Sequence, residues 1–141
     1  MMAVSSLSSL RALAFGAALL LAAPASAGVF YECDMNTKHP RGWVSPKVTF
    51  AFDAAGHVSV TDGVILWLYQ KPLIARTRKK GEKLRITWNI ANAEAGRGER
   101  IPTFRYIANL NTATKAVSII AKPVGYPQRF SAKGLCTIKT K

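Results

Sequence analysis

Few side chains in this 141-residue sequence are spaced for chemistry. It holds two cysteines, Cys33 and Cys136, and two histidines, His39 and His57. Neither histidine stands at a metal-ligand spacing from the other, from a cysteine or from paired carboxylates. There is no Gly-x-Ser-x-Gly elbow and no phosphate-cradling glycine loop. Asp53, His57 and Ser59 come nearest to an orienting acid, a base and a nucleophile, but they flank a turn and by alternation face solvent, so ordinary turn residues are expected there. The chain is read as a non-enzyme with no catalytic residue, metal or cofactor.

The densest chemical signal is cationic: Arg76-Thr77-Arg78-Lys79-Lys80-Gly81-Glu82-Lys83-Leu84-Arg85. A turn at Lys80-Gly81 would set Arg78 opposite Lys83 and Arg76 opposite Arg85 on a solvent face. Like charges directly opposed weaken a hairpin. Either salt screens them on a solvated face, or a recruited anion offsets the repulsion. Arg76, Arg78, Lys79, Lys80, Lys83 and Arg85 are therefore the candidate anion-binding residues.

The elements that must position this run read as short strands. Gly28 to Met35 alternates Val29, Tyr31, Cys33 and Met35 against Phe30, Glu32 and Asp34. Asn36 to Lys47, with two prolines and a glycine, reads as a loop that carries Trp43. Val48, Phe50 and Phe52 lead to Asp53-Ala54-Ala55-Gly56, where Asp first and Gly fourth suit a type I turn, and Val58 and Val60 resume the apolar face. Val64 to Tyr69 is apolar throughout, so periodicity leaves a doubly buried strand and a helical turn both open; Pro72 ends it either way. Leu73 to Arg78 and Lys83 to Ile90 form a hairpin whose second arm turns Leu84, Ile86, Trp88 and Ile90 inward. After a charged loop at Asn92 to Arg100 come Phe104 to Leu110, a turn around Asn111 to Thr114, Ala116 to Lys122, and a last strand from Arg129 to Lys139. In that strand Phe130, Ala132, Cys136 and Ile138 share one face.

The expected fold is all-β: an antiparallel meander of seven or eight strands, closed as a small barrel, with a β-sandwich as the alternative. Closure of an even-numbered meander makes the first and last strands antiparallel neighbours. Opposed Cα atoms then lie roughly 4.5 to 5.5 Å apart, within reach of a Cys33–Cys136 disulfide joining the ends of the domain. A bridge around a loop of about 100 residues contributes at most about 4.7 kcal/mol in the chain-entropy view. The aromatic residues Trp67, Tyr69, Trp88, Phe104 and Tyr106 are expected to fill the core, because an eight-stranded interior is only just wide enough for side chains.

Residues 1 to 27 read as a secretory signal. Arg11 supplies the charge, Ala12 to Ala23 the apolar run, Pro24 the break, and Ala25-Ser26-Ala27 the cleavage site. The run is shorter than the roughly 20 residues a membrane span requires. Residues 28 to 141 form the single β domain, expected in the periplasm or outside the cell, where one disulfide persists. Without Arg11 the 20 Lys and Arg fall to 19 against 7 Asp and Glu, a net charge of +12. So basic a chain suits an anionic partner. An exported protein rarely meets nucleic acid, so anionic lipid, lipopolysaccharide or an acidic polymer is the expected partner, and no transmembrane segment remains after cleavage.

Gly125-Tyr126-Pro127-Gln128-Arg129-Phe130 with Gly134-Leu135-Cys136, and Arg85-Ile86-Thr87-Trp88 upstream, resemble a group of small exported bacterial proteins of unknown function. More loosely, the chain is similar to the C-type lysozyme inhibitors of the bacterial envelope, small antiparallel barrels with a cysteine near each end. Their inhibitory Ser-Gly-x-x-Tyr motif is missing here, and a charge of +12 has the wrong sign for gripping a basic lysozyme, so the resemblance implies the fold and not the inhibition. The leading functional expectation is a non-enzymatic exported binding module whose basic hairpin contacts an anionic envelope component. The alternatives are a lipocalin-like carrier holding an apolar ligand between Trp67, Trp88 and Tyr106, and a protein inhibitor acting through the loop at Asn92 to Arg100.

Overall fold

Alternating apolar residues along most of the chain after residue 28 produce a β-barrel in the computed structural model, which describes residues 28–37, 42–91, 93–94, 100–101 and 103–140. Residues 1–27, expected to be a secretory signal, His39, and residues 95–99 of the segment expected to be a charged loop lie outside the described residues. The strands are β1 (Val29–Asn36), β2 (Lys47–Phe52), β3 (Val58–Asp62), β4 (Leu73–Lys80), β5 (Lys83–Ile90), β6 (Ala93–Glu94), β7 (Arg100–Ile101), β8 (Phe104–Asn111), β9 (Ala116–Pro123) and β10 (Phe130–Thr140). One helix, α1 (Gly63–Tyr69), separates β3 from β4. Every pairing is antiparallel, and the order β1-β10-β9-β8-β5-β4-β3-β2 closes on itself, while β6 and β7 form a separate two-stranded ribbon. The barrel, and not the sandwich, is the fold.

Closure depends on β1 and β10. Cys33 stands directly opposite Cys136, and the two form a disulfide with Cα atoms 3.9 Å apart. Two residues along, Met35 faces Gly134, where a Cβ would collide with the Asp34 carbonyl oxygen. The strands meet this closely because position 134 carries no side chain.

The inward side chains fill the barrel. Phe50, Val60, Ile65, Ile86, Ile90, Tyr106 and Ile119 are fully buried, and Trp88 is 3% exposed. The Trp88 ring stacks on Tyr106 with centroids 5.2 Å apart and meets Phe50 edge-on at 5.8 Å. Trp67 is the exception to the expected aromatic core: it projects from α1 with 57% of its surface exposed.

The apolar run at Val64 to Tyr69 is helical because both its ends are capped. Asp62, in extended conformation, accepts the Ile65 N–H on Oδ1 at 2.7 Å, a side-chain N-cap. At the other end Gln70 adopts φ 58° and donates its N–H to the Leu66 carbonyl. Ile65 plugs the barrel end, and the Tyr69 hydroxyl both donates to the Ala91 carbonyl and accepts the Ala91 N–H, which ties the helix to the exit of β5. The same end is covered by Trp43, whose ring stacks on Phe104 at 4.1 Å and whose carbonyl accepts the Tyr106 hydroxyl at 2.8 Å.

Candidate functional site

The turn between β4 and β5 sets the geometry of the basic run. Lys80 faces Lys83 across it, Arg78 faces Arg85, Lys79 faces Leu84, and Arg76 faces Thr87. The two loop residues are therefore Gly81 and Glu82, not Lys80 and Gly81, and each cation sits two places from its expected partner. The cause is conformational. Gly81 takes φ 61° and Glu82 is not in the positive-φ region, so glycine occupies the first central position, as a type II′ hairpin turn favours. A turn centred on Lys80-Gly81 of type I′ would force a lysine into positive φ.

Alternation divides the six candidate residues. Arg76, Arg78, Lys80, Lys83 and Arg85 share the outward face, whereas Lys79 is on the opposite phase with buried Leu84. All six are exposed, and among the described residues none has an ion-pair partner. Like charges stand directly opposed twice, at Arg78–Arg85 and at Lys80–Lys83.

The barrel extends this face with cations that sequence reading missed. β5 pairs with β8 so that Asn89 faces Arg105, and β8 pairs with β9 so that Arg105 faces Lys122. A second row runs from Arg78 through Arg85, Asn109 and Ser118 to Lys133 on β10. Arg76 and Arg105 line one cleft of about 320 Å³ with Thr87 and Asn89 between them. No acidic residue occupies an outward position of β4, β5, β8 or β9; Glu82 sits in the turn. Acids on β1 are matched instead, Glu32 with Lys139 at 2.8 Å and Asp34 with Lys47 at 3.9 Å. Arg105, Lys122 and Lys133 are scattered along the chain, and only the phase of alternation combined with the strand register would have brought them together.

The Asp53–His57–Ser59 set is a turn. Asp53 Oδ1 accepts the N–H groups of Ala55 and His57, its carbonyl accepts the Gly56 N–H, and Oδ2 lies 3.3 Å from His57 Nδ1. The hydrogen bond from the His57 backbone is the main reason that the Asp53 carboxyl titrates below its usual range. Ser59 lies on β3 opposite Ala51 and Ile74.

A longer groove of about 1060 Å³ runs beside the start of β10, walled by Trp43, Ile119, Phe130 and Ala132 with Arg129 and Lys133 along it. Trp67, Trp88 and Tyr106 line no common space: the last two are stacked in the filled interior and the first is on the outside. Comparison with known protein families, curated proteins and solved structures finds no match. The resemblances drawn above rest on the sequence segments alone.

Proposed function

We propose that this chain is a non-enzymatic exported binding module whose outer β4–β5–β8 face contacts an anionic component of the cell envelope: an anionic lipid, lipopolysaccharide or an acidic polymer. The observation that carries the reading is the unpaired basic face. Arg76, Arg78, Lys80, Lys83, Arg85 and Arg105 project from adjacent strands with no acid among them and, among the described residues, no ion pair to neutralise them. Guanidinium forks suit phosphate and carboxylate oxygens in pairs, and Arg76 and Arg105 flank one cleft. The disulfide fits an oxidising compartment, in keeping with a periplasmic or secreted location. Among the described residues no helix is long and apolar enough to cross a membrane, so the reading uses surface contact. A filled interior supports the binding module over a carrier with an apolar ligand inside the barrel.

The test is a quadruple replacement of Arg76, Arg78, Lys83 and Arg85 by Gln. These side chains are exposed, so each change should move stability by no more than about 0.5 kcal/mol and the barrel should fold. The parent protein should bind vesicles containing anionic lipid, and bind them less as salt is added, because charges are screened beyond about 10 Å at 0.1 M. The variant should bind more weakly and lose much of the salt dependence. A parent with no affinity for any anionic surface at low salt, or a variant that binds equally well, would leave the face as a merely solvated one.

A further inference from the structure

The groove beside β10 exists because one seam of the barrel is only partly zipped. β1 ends at Asn36, opposite Lys133, so Phe130, Ser131 and Ala132 have β9 on one side and, among the described residues, no strand on the other. The chain leaving β1 returns at Gly42–Val44 and forms the far wall of the groove. At this seam Phe130, which shares the inward phase of buried Ile119 and Ala132 behind the groove, is left 37% exposed, and half-buried Trp43 and Ile120 line the groove beside it. Phe130 leads inward to Phe104 at 6.4 Å, and Phe104 to Trp43 at 4.1 Å, so the apolar wall is backed by an aromatic row.

The charge around this apolar slot has one sign. Arg129 and Lys133 lie along it, and neither has an ion-pair partner among the described residues. A shallower depression of about 390 Å³ shares Lys133 and Ser118 with the groove and continues across Asn109 to Lys83, so the apolar slot opens directly onto the basic face. An apolar wall needs an apolar occupant, and a cationic rim needs a negative charge at one end of it. With a volume of about 1060 Å³ the groove is at the upper end of the range for small-molecule sites.

We propose that this groove binds one acyl chain of an anionic amphiphile, the chain lying against Trp43, Ile120 and Phe130 and its headgroup held at the cationic rim by Arg129 or Lys133. The inference deepens the anion-binding reading by naming the ligand class, and it assigns a second contact site distinct from the β4–β5 hairpin.

The experiment is calorimetric titration of the purified protein with dodecyl phosphate below its micelle concentration, beside inorganic phosphate and dodecyl maltoside as headgroup-only and uncharged-chain controls. Dodecyl phosphate should bind one-to-one and saturate, and both controls should bind at least about tenfold more weakly. Phe130→Ser should weaken dodecyl phosphate by at least about tenfold while salt-dependent binding to dextran sulfate, which has no acyl chain, is retained. Because Phe130 also touches Phe104, the double change Arg129→Glu with Lys133→Glu gives a second route through exposed residues: it should erase the preference for dodecyl phosphate over dodecyl maltoside. The quadruple Gln variant of the hairpin should still bind dodecyl phosphate. Absence of saturable binding below the micelle concentration, equal binding of inorganic phosphate, or loss in the hairpin variant without loss in the groove variants would overturn the groove assignment. Dextran sulfate binding reports on the basic face separately.

Discussion

Asp62 carries a conflict between capping and burial. Its carboxylate accepts the Ile65 N–H that starts α1, yet the residue is 4% exposed and desolvation pushes its pKa up from the ordinary carboxylate value to about 6. The neighbouring Tyr106 hydroxyl is also pushed up, chiefly by burial and secondly by the Asp62 charge. Between about pH 4 and pH 6 the folded protein holds a proton that the unfolded chain releases. This group's contribution is therefore fully present below about pH 4 and is lost as pH rises toward 6, a difference of up to about 3 kcal/mol. Asp62→Asn keeps the capping oxygen and removes the charge. Urea midpoints measured from pH 4 to pH 7 should show Asp62→Asn at least as stable as the parent at pH 7, with the parent's decline across that window missing. Gly134 is a second residue with an exact demand. A Cβ there would collide with the Asp34 carbonyl oxygen and lie 2.9 Å from its carbon, a clash with backbone that turning a side chain cannot relieve. Gly134→Ala should cost about 3 kcal/mol or more, read as a fall in thermal midpoint, because strand-to-strand backbone contact must open.

Among the elements, the β4–β5 hairpin shows what alternation does and does not carry. The phase of Leu84, Ile86, Trp88 and Ile90 was legible, and all four are buried. The register was not, because moving the turn by one residue leaves every side chain of each arm on its own face while changing which cations meet. Gly81 at φ 61° is what decides it. Gly81→Ala should destabilise the hairpin by about 1 to 2 kcal/mol, the cost of an L-residue in the left-handed region, with a Cβ that meets nothing within 4 Å. Chemical denaturation of that variant against a Glu82→Ala control, which should stay within about 0.5 kcal/mol of the parent, separates conformational strain from lost charge. α1 was ambiguous for a different reason. Ile65 is buried, Val64, Leu68 and Tyr69 are half-buried, and Leu66 and Trp67 are exposed although apolar, so hydropathy hides the helical period. The useful signal was local: an aspartate three residues before a backbone N–H that needs an acceptor. The groove was illegible because it is made by a seam, where one strand ends before its neighbour begins, and no periodicity marks that.

For the whole molecule, the barrel segregates its charge and fastens its ends at one place. The acids of β1 are paired on one side, the cations of β4, β5 and β8 have no ion-pair partner among the described residues on another, and the Cys33–Cys136 bridge closes β1 on β10. The matched apolar phases of the two cysteines made the bridge readable and favoured the closed meander, since adjacent antiparallel end strands set them opposite each other. The bridge spans a sequence separation of 103, so in the native barrel it adds one contact beside a ladder already running from Val29–Thr140 to Asn36–Lys133. Its larger effect is on the unfolded chain, whose ends it holds together. Replacing both cysteines by Ala should therefore lower unfolding free energy by up to about 4.7 kcal/mol while leaving the native circular dichroism spectrum unchanged. The denaturant slope should rise, because an unbridged unfolded chain exposes more surface. A stability loss with an unchanged slope and an altered native spectrum would instead place the effect in the folded barrel, at the crossing where Met35 passes Gly134.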